Sequence, residues 1–247
     1  MRLTKIRAQM VLLLSAILPV AIILYFIYRN DIKKEPWQLL LKCFGFGMFS
    51  IIPTIIIEMI LNLGNVFHSS FVHSFYTAFI VAGFTEELLK FLILYWIIFK
   101  SKRFDQYYDG IVYAVFVSLG FAFVENIIYV LQGGIGTAVG RAILSVPAHG
   151  LFGVIMGYFL SLAKFSDVEK IKHKLFPAFL LPMLFHGVFD FILMYGSTTQ
   201  SPTIILLLFV SFVLLMILLW KFAIRKIKND IAIDKNNSKE ENTVINS

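Results

Sequence analysis

Carboxylate and imidazole side chains occur inside the most apolar stretches of this 247-residue chain. Together with one lysine and one asparagine they form the set Glu86, Glu87, Lys90, Glu125, Asn126, His149, His186 and Asp190. Such groups can activate a water molecule or relay a proton. They are also costly, because one charged side chain at the centre of a bilayer costs roughly 2.5–3.5 kcal/mol on insertion scales. We therefore expect these side chains to face one another or a water-filled cavity.

Local spacing predicts which of these residues share a helix face. Glu86 and Lys90 are four residues apart, so they can form an ion pair along one side of a helix. Glu87 points about 100° away and can reach a different partner. His186 and Asp190 also share a face, which allows the carboxylate to orient the imidazole.

A stripe of small residues accompanies the remaining histidine. His149, Gly153 and Gly157 recur at four-residue intervals. Glycines at this spacing allow a neighbouring helix backbone to approach closely in a membrane. The stripe predicts that His149 lies near the other polar helices.

The composition identifies the surroundings of these groups as a membrane. Hydrophobic residues make up 59% of the chain and charged residues 15%, whereas a soluble domain has about 25% charged residues. The mean hydropathy is +0.82. The net charge of +7 lies in short clusters between apolar runs, which is typical of membrane topology signals and not of a nucleic-acid surface. The single cysteine, Cys43, excludes an intrachain disulfide and a cysteine metal cage.

Seven apolar runs are long enough to cross a bilayer, since a spanning helix needs about 20 residues. They cover residues 10–28, 38–61, 71–99, 110–131, 141–163, 175–195 and 202–222. The third run is longer than a bilayer requires, which predicts a tilted helix or an eighth, broken or re-entrant element. The predicted fold class is all-α, a polytopic membrane helix bundle with its active site between helices three and six. We expect residues 1–230 to form the transmembrane domain and residues 231–247 to be a disordered cytoplasmic tail.

Basic residues in the short loops set the predicted orientation. They follow the first, third, fifth and seventh helices, as Arg29, Lys33, Lys34, Lys100, Lys102, Arg103, Lys164, Lys170, Lys172, Lys174, Lys221, Arg225, Lys226 and Lys228. This alternation places the C-terminus in the cytoplasm and the N-terminus outside. Arg2, Lys5 and Arg7 argue for the opposite orientation, unless translation starts at Met10 and not at Met1.

The ionisable groups on four helices lie at similar depth. At 1.5 Å per helical residue, Glu86, Glu125, His149 and His186 lie about 18–24 Å from the nearest charged anchor on the cytoplasmic side. In a hydrocarbon core about 30 Å thick, all four fall in the outer half. Four helices that bring ionisable groups to one level predict a single site.

Several segments in chain order carry a family resemblance. They are the aromatic and basic Glu-Pro linker at 28–41, TEELLK at 85–90, DGIVY at 109–113, GFAFVEN at 120–126, Arg141, HxxxGxxxG at 149–157 and HxxxD at 186–190. Taken together, they resemble the motifs of the PrsW family of membrane proteases, over roughly residues 10–195. That family is similar in turn to the prenyl-protein (CAAX) and bacteriocin-processing membrane endopeptidases.

The resemblance implies roles for the polar residues. Glu86 and Glu87 would hold or activate the attacking water, and His186 would be the histidine of the constellation. The remaining catalytic candidates are Glu125, Asn126 and His149, with Lys90, Asp190 and Arg141 in support. The amide of Asn126 would donate to the oxyanion. The larger group often has a histidine at the position of Glu125, which leaves the role of that residue open.

The resemblance also implies a substrate and a location. The expected activity is site-1-type intramembrane cleavage of a single-span membrane protein, such as an anti-sigma factor, near its outer face. The expected location is the bacterial cell membrane, with no nucleic acid as partner.

No cofactor is expected, and zinc is the alternative. Histidine and carboxylate side chains could hold zinc with a water in the open position. However, no HExxH motif occurs, and the cationic side chain of Lys90 would repel a metal. These residues favour a metal-free glutamate mechanism.

Two other classes of protein are consistent with the same residues. A proton-coupled transporter also uses buried carboxylates and histidines, although transporters usually show internal repeats and midplane sites. A non-catalytic immunity or scaffold protein would tolerate loss of the glutamates. Outside the polar set, Glu58 is expected to be interfacial, and His68, His73 and His173 are expected to be solvated.

Overall fold

A computed structural model describes the backbone of residues 2–245 and the side chains of residue 10 and residues 14–240; Met1, one of the two candidate starts, lies outside this range. Within it, seven helices follow one another: α1 (Arg2–Asn30), α2 (Trp37–Leu63), α3 (residues 70–99), α4 (Tyr107–Gly140), α5 (Val146–Lys164), α6 (Ile171–Thr198) and α7 (Pro202–Ile245). A single 3-10 turn, Val168–Lys170, precedes α6. The predicted all-α membrane bundle is confirmed, and each of the seven predicted apolar runs is helical throughout.

Four helical stretches of the described chain are long and apolar enough to cross a membrane, namely Trp37–Leu63, Tyr107–Lys164, Val168–Thr198 and Pro202–Glu240, and Leu14–Asn30 is a shorter apolar helix. The second stretch contains 58 residues, which as a straight helix would extend about 87 Å, nearly three times the apolar thickness of a bilayer. It is divided at Gly134, whose φ of 72° lies in the left-handed region that glycine adopts readily. The kink lies near the end of α4 and redirects the chain toward α5, and α4 and α5 pack against each other.

Helix α3 is the element that the sequence predicts to be tilted, broken or re-entrant. Its α-helical segments Ser70–Tyr76 and Thr85–Leu94 alternate with π-helical segments Thr77–Phe84 and Tyr95–Phe99. The backbone stays helical throughout, so the irregularity is a change of helical pitch and not a re-entrant loop. Single π-helical turns are rare and occur often at functional sites. The α-helical segment Thr85–Leu94 directly follows the π-helical segment Thr77–Phe84. It carries Glu86 and Glu87.

Helix α4 is central, because α1, α2 and α5 all pack against it. The predicted glycine stripe explains the contact with α5. A Cβ added at Gly153 would lie 3.1 Å from Ser118 Cβ, and one added at Gly157 would lie 2.6 Å from Ile111 Cα. The same close packing brings the Ser118 hydroxyl to the backbone carbonyl of His149, to which it donates at 2.7 Å.

The C-terminal segment differs from its prediction. Helix α7 continues through residues 231–245, where the composition predicts a disordered tail. Asp234 is 2% exposed, and its two carboxylate oxygens accept the backbone N–H groups of Tyr107 and Tyr108, each at 2.8 Å. These N–H groups belong to the first turn of α4 and have no partner within that helix. The contact joins residues far apart in the chain, which is why composition does not reveal it.

The linker between α1 and α2 is held by carboxylates. The hydroxyl of Tyr113 on α4 donates to Glu35 Oε2, and the backbone N–H of Glu35 donates to Asp31 Oδ2 at 3.0 Å. Glu35 is 5% exposed, and burial raises its pKa to about 7. The Glu-Pro linker thereby attaches the start of α2 to the central helix.

The raised pKa of Glu35 predicts a pH-dependent stability. The unfolded carboxyl ionises near its ordinary value of 4.5 and the folded one near 7, so between these values the folded state holds more protons. The free energy of unfolding should therefore fall as the pH rises through this window. Glutamine is neutral at every pH and retains an acceptor for Tyr113. We expect Glu35→Gln to be more stable than the wild type at about pH 8, by up to about 3 kcal/mol, and to have no advantage at about pH 4.5.

Melting temperatures of the two proteins in detergent, measured across this pH range, check the expectation. Glu169→Gln, at an exposed carboxylate, is the matched control. A melting-temperature difference between Glu35→Gln and the wild type that is independent of pH would contradict the linkage.

Candidate active site

Helix α3 supplies two glutamates and a lysine to one buried cluster. Lys90 Nζ donates to Glu86 Oε2 at 3.1 Å and to Glu87 Oε1 at 2.8 Å. Lys90 and Glu87 are fully buried. The structure contains the predicted pair of Glu86 with Lys90, and it shows that the ammonium also binds the second glutamate.

His186 on α6 faces the same carboxylates. Its Nδ1 lies 2.9 Å from Glu87 Oε1 and 4.0 Å from Glu86 Oε2. Its Nε2 lies 3.3 Å from Asp190 Oδ2, and the ring stacks on Phe152 of α5 with centroids 5.1 Å apart. Carboxylates on both edges and an aromatic face on one side hold the imidazole in a single orientation, and Asp190 occupies the orienting position that the sequence predicts.

His149 on α5 joins the cluster from the other side. Its Nδ1 lies 3.3 Å from Lys90 Nζ, and its Nε2 lies 2.9 Å from Glu125 Oε2 on α4. An ammonium has only N–H donors, so Nδ1 must act as the acceptor and the proton of a neutral ring lies on Nε2, directed at Glu125. The rings of His149 and His186 are 5.3 Å apart and nearly perpendicular.

Arg141 closes the cluster at the junction of α4 and α5. One of its terminal nitrogens lies 2.7 Å from Glu125 Oε2, and its Nε donates to Asn126 Oδ1 at 3.0 Å. The guanidinium lies over the ring of Tyr129, 4.3 Å from its centroid. Glu125 is therefore held between an imidazole and a guanidinium.

Asn126 lies between Arg141 and α1, on the side away from the cavity described below. Its side-chain amide donates to the backbone carbonyl of Ala16 on α1 at 3.1 Å, and the residue is fully buried. It does not line the cavity described below. The geometry therefore differs from the expectation that Asn126 donates to an oxyanion, because both of its polar atoms bind protein groups and hold Arg141 and α1.

A cavity of about 420 Å³ lies between α2, α3, α4, α5 and α6, in front of these residues. Its acidic, basic and histidine lining consists of Glu58, Glu86, Glu125, Arg141, His149, His186 and Asp190. Glu87, Lys90 and Asn126 lie behind its surface. Glu86, Glu125, His149 and His186, which come from four helices, all contribute to this cavity wall.

Glu58 is a cavity residue that the sequence analysis excluded. It lies on the same face of α2 as Ile51 and Ile55, which also line the cavity. Glu58 meets the criterion that selected the other polar residues, because it is a charged side chain inside an apolar run. His68, His73 and His173 are exposed, as predicted.

Four donor groups could in principle hold a metal ion. One ligand atom each from Glu86, Glu87, His149 and His186 lies within 4.8 Å of the others, and two carboxylates with two imidazoles suit zinc. However, Lys90 Nζ lies within 3.3 Å of three of these four residues. A zinc ion about 2.0–2.2 Å from the same donors would lie within about 5 Å of the ammonium, and the two positive charges would repel each other. The donors do not fit a metal while Lys90 is charged and in place.

Comparison with known proteins assigns the chain to a family. The family model for PrsW family intramembrane metalloproteases matches residues 35–219. The chain is 38% identical over 235 residues to Protease PrsW of Oceanobacillus iheyensis, an alignment that covers 95% of this chain and 99% of that protein. It is 39% identical over 210 residues to Protease PrsW of Bacillus subtilis, with 85% and 90% covered.

A third relative agrees with these two. Protease PrsW of Geobacillus kaustophilus is 37% identical over 209 residues, which are 85% of this chain and 87% of that protein. No solved structure matches the chain significantly. The family match covers the linker from Glu35, the buried cluster and all five helices that form its cavity. This multi-pass membrane protein therefore belongs to the PrsW family of intramembrane proteases.

Proposed function

We propose that this protease cleaves its substrate in the cavity in front of Glu86, with Glu86 as the general base toward water. One observation carries the assignment. Of the two α3 carboxylates, Glu86 lines the cavity whereas Glu87 is fully buried behind it. A general base must reach the water that it deprotonates, and Glu86 is the carboxylate that water in the cavity can reach.

The remaining residues divide into those that face the substrate and those that position them. Water transfers a proton to the Glu86 carboxylate while its oxygen attacks the carbonyl carbon of the peptide bond. As the C–N bond breaks, Glu86 returns the proton to the departing nitrogen. Arg141 lines the same cavity beside His149 and His186. Its guanidinium has more N–H groups than those that bind Glu125 and Asn126, so it can stabilise the negative charge that develops on the carbonyl oxygen.

The positioning residues lie behind the cavity wall, as Glu87, Lys90 and Asn126 do, or within it, as Glu125 and Asp190 do. Glu87 and Asp190 hold His186. Glu125 holds His149, and Asn126 holds Arg141. Lys90 binds both glutamates of α3, so it fixes the direction in which Glu86 points.

An intramembrane protease acts on membrane proteins, and we propose a single-span substrate for this one. The resemblance to the PrsW motifs favours an anti-sigma factor in a bacterial cell membrane. The basic loops favour an N-terminus outside and a C-terminus in the cytoplasm, with the cavity toward the outer side. A transporter or a non-catalytic immunity or scaffold protein is disfavoured by membership in a protease family.

The name of the family model includes a metal, but the position of Lys90 favours a metal-independent reaction in this chain. The ammonium supplies the positive charge next to the two glutamates that a zinc ion would otherwise supply. The proposed reaction uses only protein side chains and water.

Proteolysis in liposomes tests the assignment of residues. Purified protein would be mixed with labelled single-span substrates, including anti-sigma factors, and the products identified by mass spectrometry. We expect Glu86→Gln to lower the cleavage rate by at least about 100-fold, the contribution of a general base. Glu87→Gln and His186→Ala should also lower it strongly, because they disturb the position of the same groups.

Glu169→Gln, on the exposed loop before α6, is the matched carboxylate control and should cleave like the wild type. Equal rates for the wild type and Glu86→Gln would show that the proposed base has no role.

Metal binding provides a second test, read by thermal stability and not by activity. Because the Lys90 ammonium lies against three of the four donor residues and would repel a metal cation, we expect the melting temperature of the wild type to be unchanged by a chelator or by added zinc. In Lys90→Met the four donors lose their ammonium, and zinc should raise the melting temperature of that variant by several degrees. A chelator that lowers the melting temperature of the wild type, with recovery on addition of zinc, would contradict the metal-independent proposal.

A further inference from the structure

Glu58 is a carboxylate of the cavity that the reaction leaves unused. It is half-buried on α2 and lines the same cavity as Glu86, His149 and His186. In the part of the chain whose side chains are described, no hydrogen bond or ion pair involves its side chain. A carboxylate in a small cavity between apolar helices needs a partner or water.

Every other acidic side chain of the cavity wall already has a cationic or imidazole partner. Glu86 pairs with Lys90 at 3.1 Å, and Glu125 pairs with Arg141 at 2.7 Å. Asp190 lies 3.3 Å from His186. Glu58 is the acidic group of the cavity wall without such a partner, so a cation on the α2 side of the cavity would pair with it.

Glu58 and Glu86 line the same cavity, and their carboxyl groups are near enough to interact electrostatically. Taken as a sphere, the cavity of about 420 Å³ is about 9 Å across. An extended peptide rises about 3.4 Å per residue, so the cavity holds about three residues. A substrate side chain that reaches Glu58 therefore belongs to a residue within about three positions of the bond at Glu86.

We propose that Glu58 is a specificity-determining residue that binds a basic side chain, lysine or arginine, of the substrate next to the scissile bond. The inference rests on the proposed function, because it places the substrate in this cavity. A basic side chain would supply the missing positive charge. The ion pair with Glu58 would offset the free-energy cost of transferring that side chain into the membrane. A neutral or acidic side chain at that position would leave Glu58 unpaired or repelled.

The test separates binding from cleavage. The Glu86→Gln protein in liposomes would be titrated with fluorescent single-span peptides of one sequence. These peptides carry lysine, glutamine or glutamate singly at each of six successive positions of the outer flank. Binding requires no turnover, so a charge preference can be measured even if no peptide is a substrate of the wild type.

We expect lysine at one or two neighbouring positions to strengthen binding about tenfold over glutamine. Glu58→Gln in the same background should remove this preference, and Glu58→Lys should reverse it in favour of glutamate. Glu169→Gln, an exposed carboxylate outside the cavity, should keep it. The reversal separates a charge contact from a structural role, since a merely misfolded variant would lose binding to all three peptides alike.

Equal or absent binding of the lysine, glutamine and glutamate peptides at every position would overturn the proposal, as would a lysine preference that persists in Glu58→Gln. Mapping of the wild-type cleavage site by mass spectrometry completes the test. A preferred lysine more than about four residues from the cleaved bond would also contradict it. Loss of cleavage in Glu86→Gln with no charge preference in binding would retain the proposed function and reject only the role of Glu58.

Discussion

The ammonium of Lys90 is the interaction on which the site depends. It is fully buried and lies 2.8 Å from Glu87, 3.1 Å from Glu86 and 3.3 Å from His149. A lone charge in such surroundings would be strongly destabilising, and removal of one partner of a buried ion pair typically costs about 3–5 kcal/mol. The helices that carry these residues must therefore stay together for the charges to be tolerated.

Two series of contacts extend from Lys90 across the bundle. One passes through Glu87 and His186 to Asp190, which joins α3 to α6. The other passes through His149, Glu125, Arg141 and Asn126 to the Ala16 carbonyl, which joins α3 to α5, α4 and α1. Close backbone packing at Gly153 makes the second series possible, because it lets α5 approach α4. The same contacts that stabilise the bundle fix the direction of the groups that face the cavity.

Residue type and depth were sufficient to predict which helices meet. A carboxylate or imidazole inside an apolar run must find a partner, so the sequence predicts that Glu86, Glu125, His149 and His186 face one another, and they do line one cavity. Spacing does not give the side-chain direction. For that reason the sequence could not show that Lys90 binds both glutamates, or that the Asn126 amide turns away from the cavity toward α1.

The differences elsewhere have similar causes. Glu58 lies near one end of α2, where an interfacial position is the simpler expectation, and its place in the cavity depends on how α2 packs. Asp234 lies in a polar segment that reads as disordered, but it caps α4 more than 120 residues away. Contacts between distant parts of the chain decide both cases, and one sequence carries no record of them.

Lys90 and the α3 glutamates form one buried ion network that organises the site. A double-mutant cycle of Lys90→Met and Glu87→Gln, read by the free energy of unfolding in detergent, measures the coupling within this network. We expect Lys90→Met alone to be destabilised by about 3–5 kcal/mol. Glu87→Gln added to it should recover a large part of the loss, since it removes an uncompensated charge. Losses that simply add would show that the two side chains contribute independently and that they form no such network.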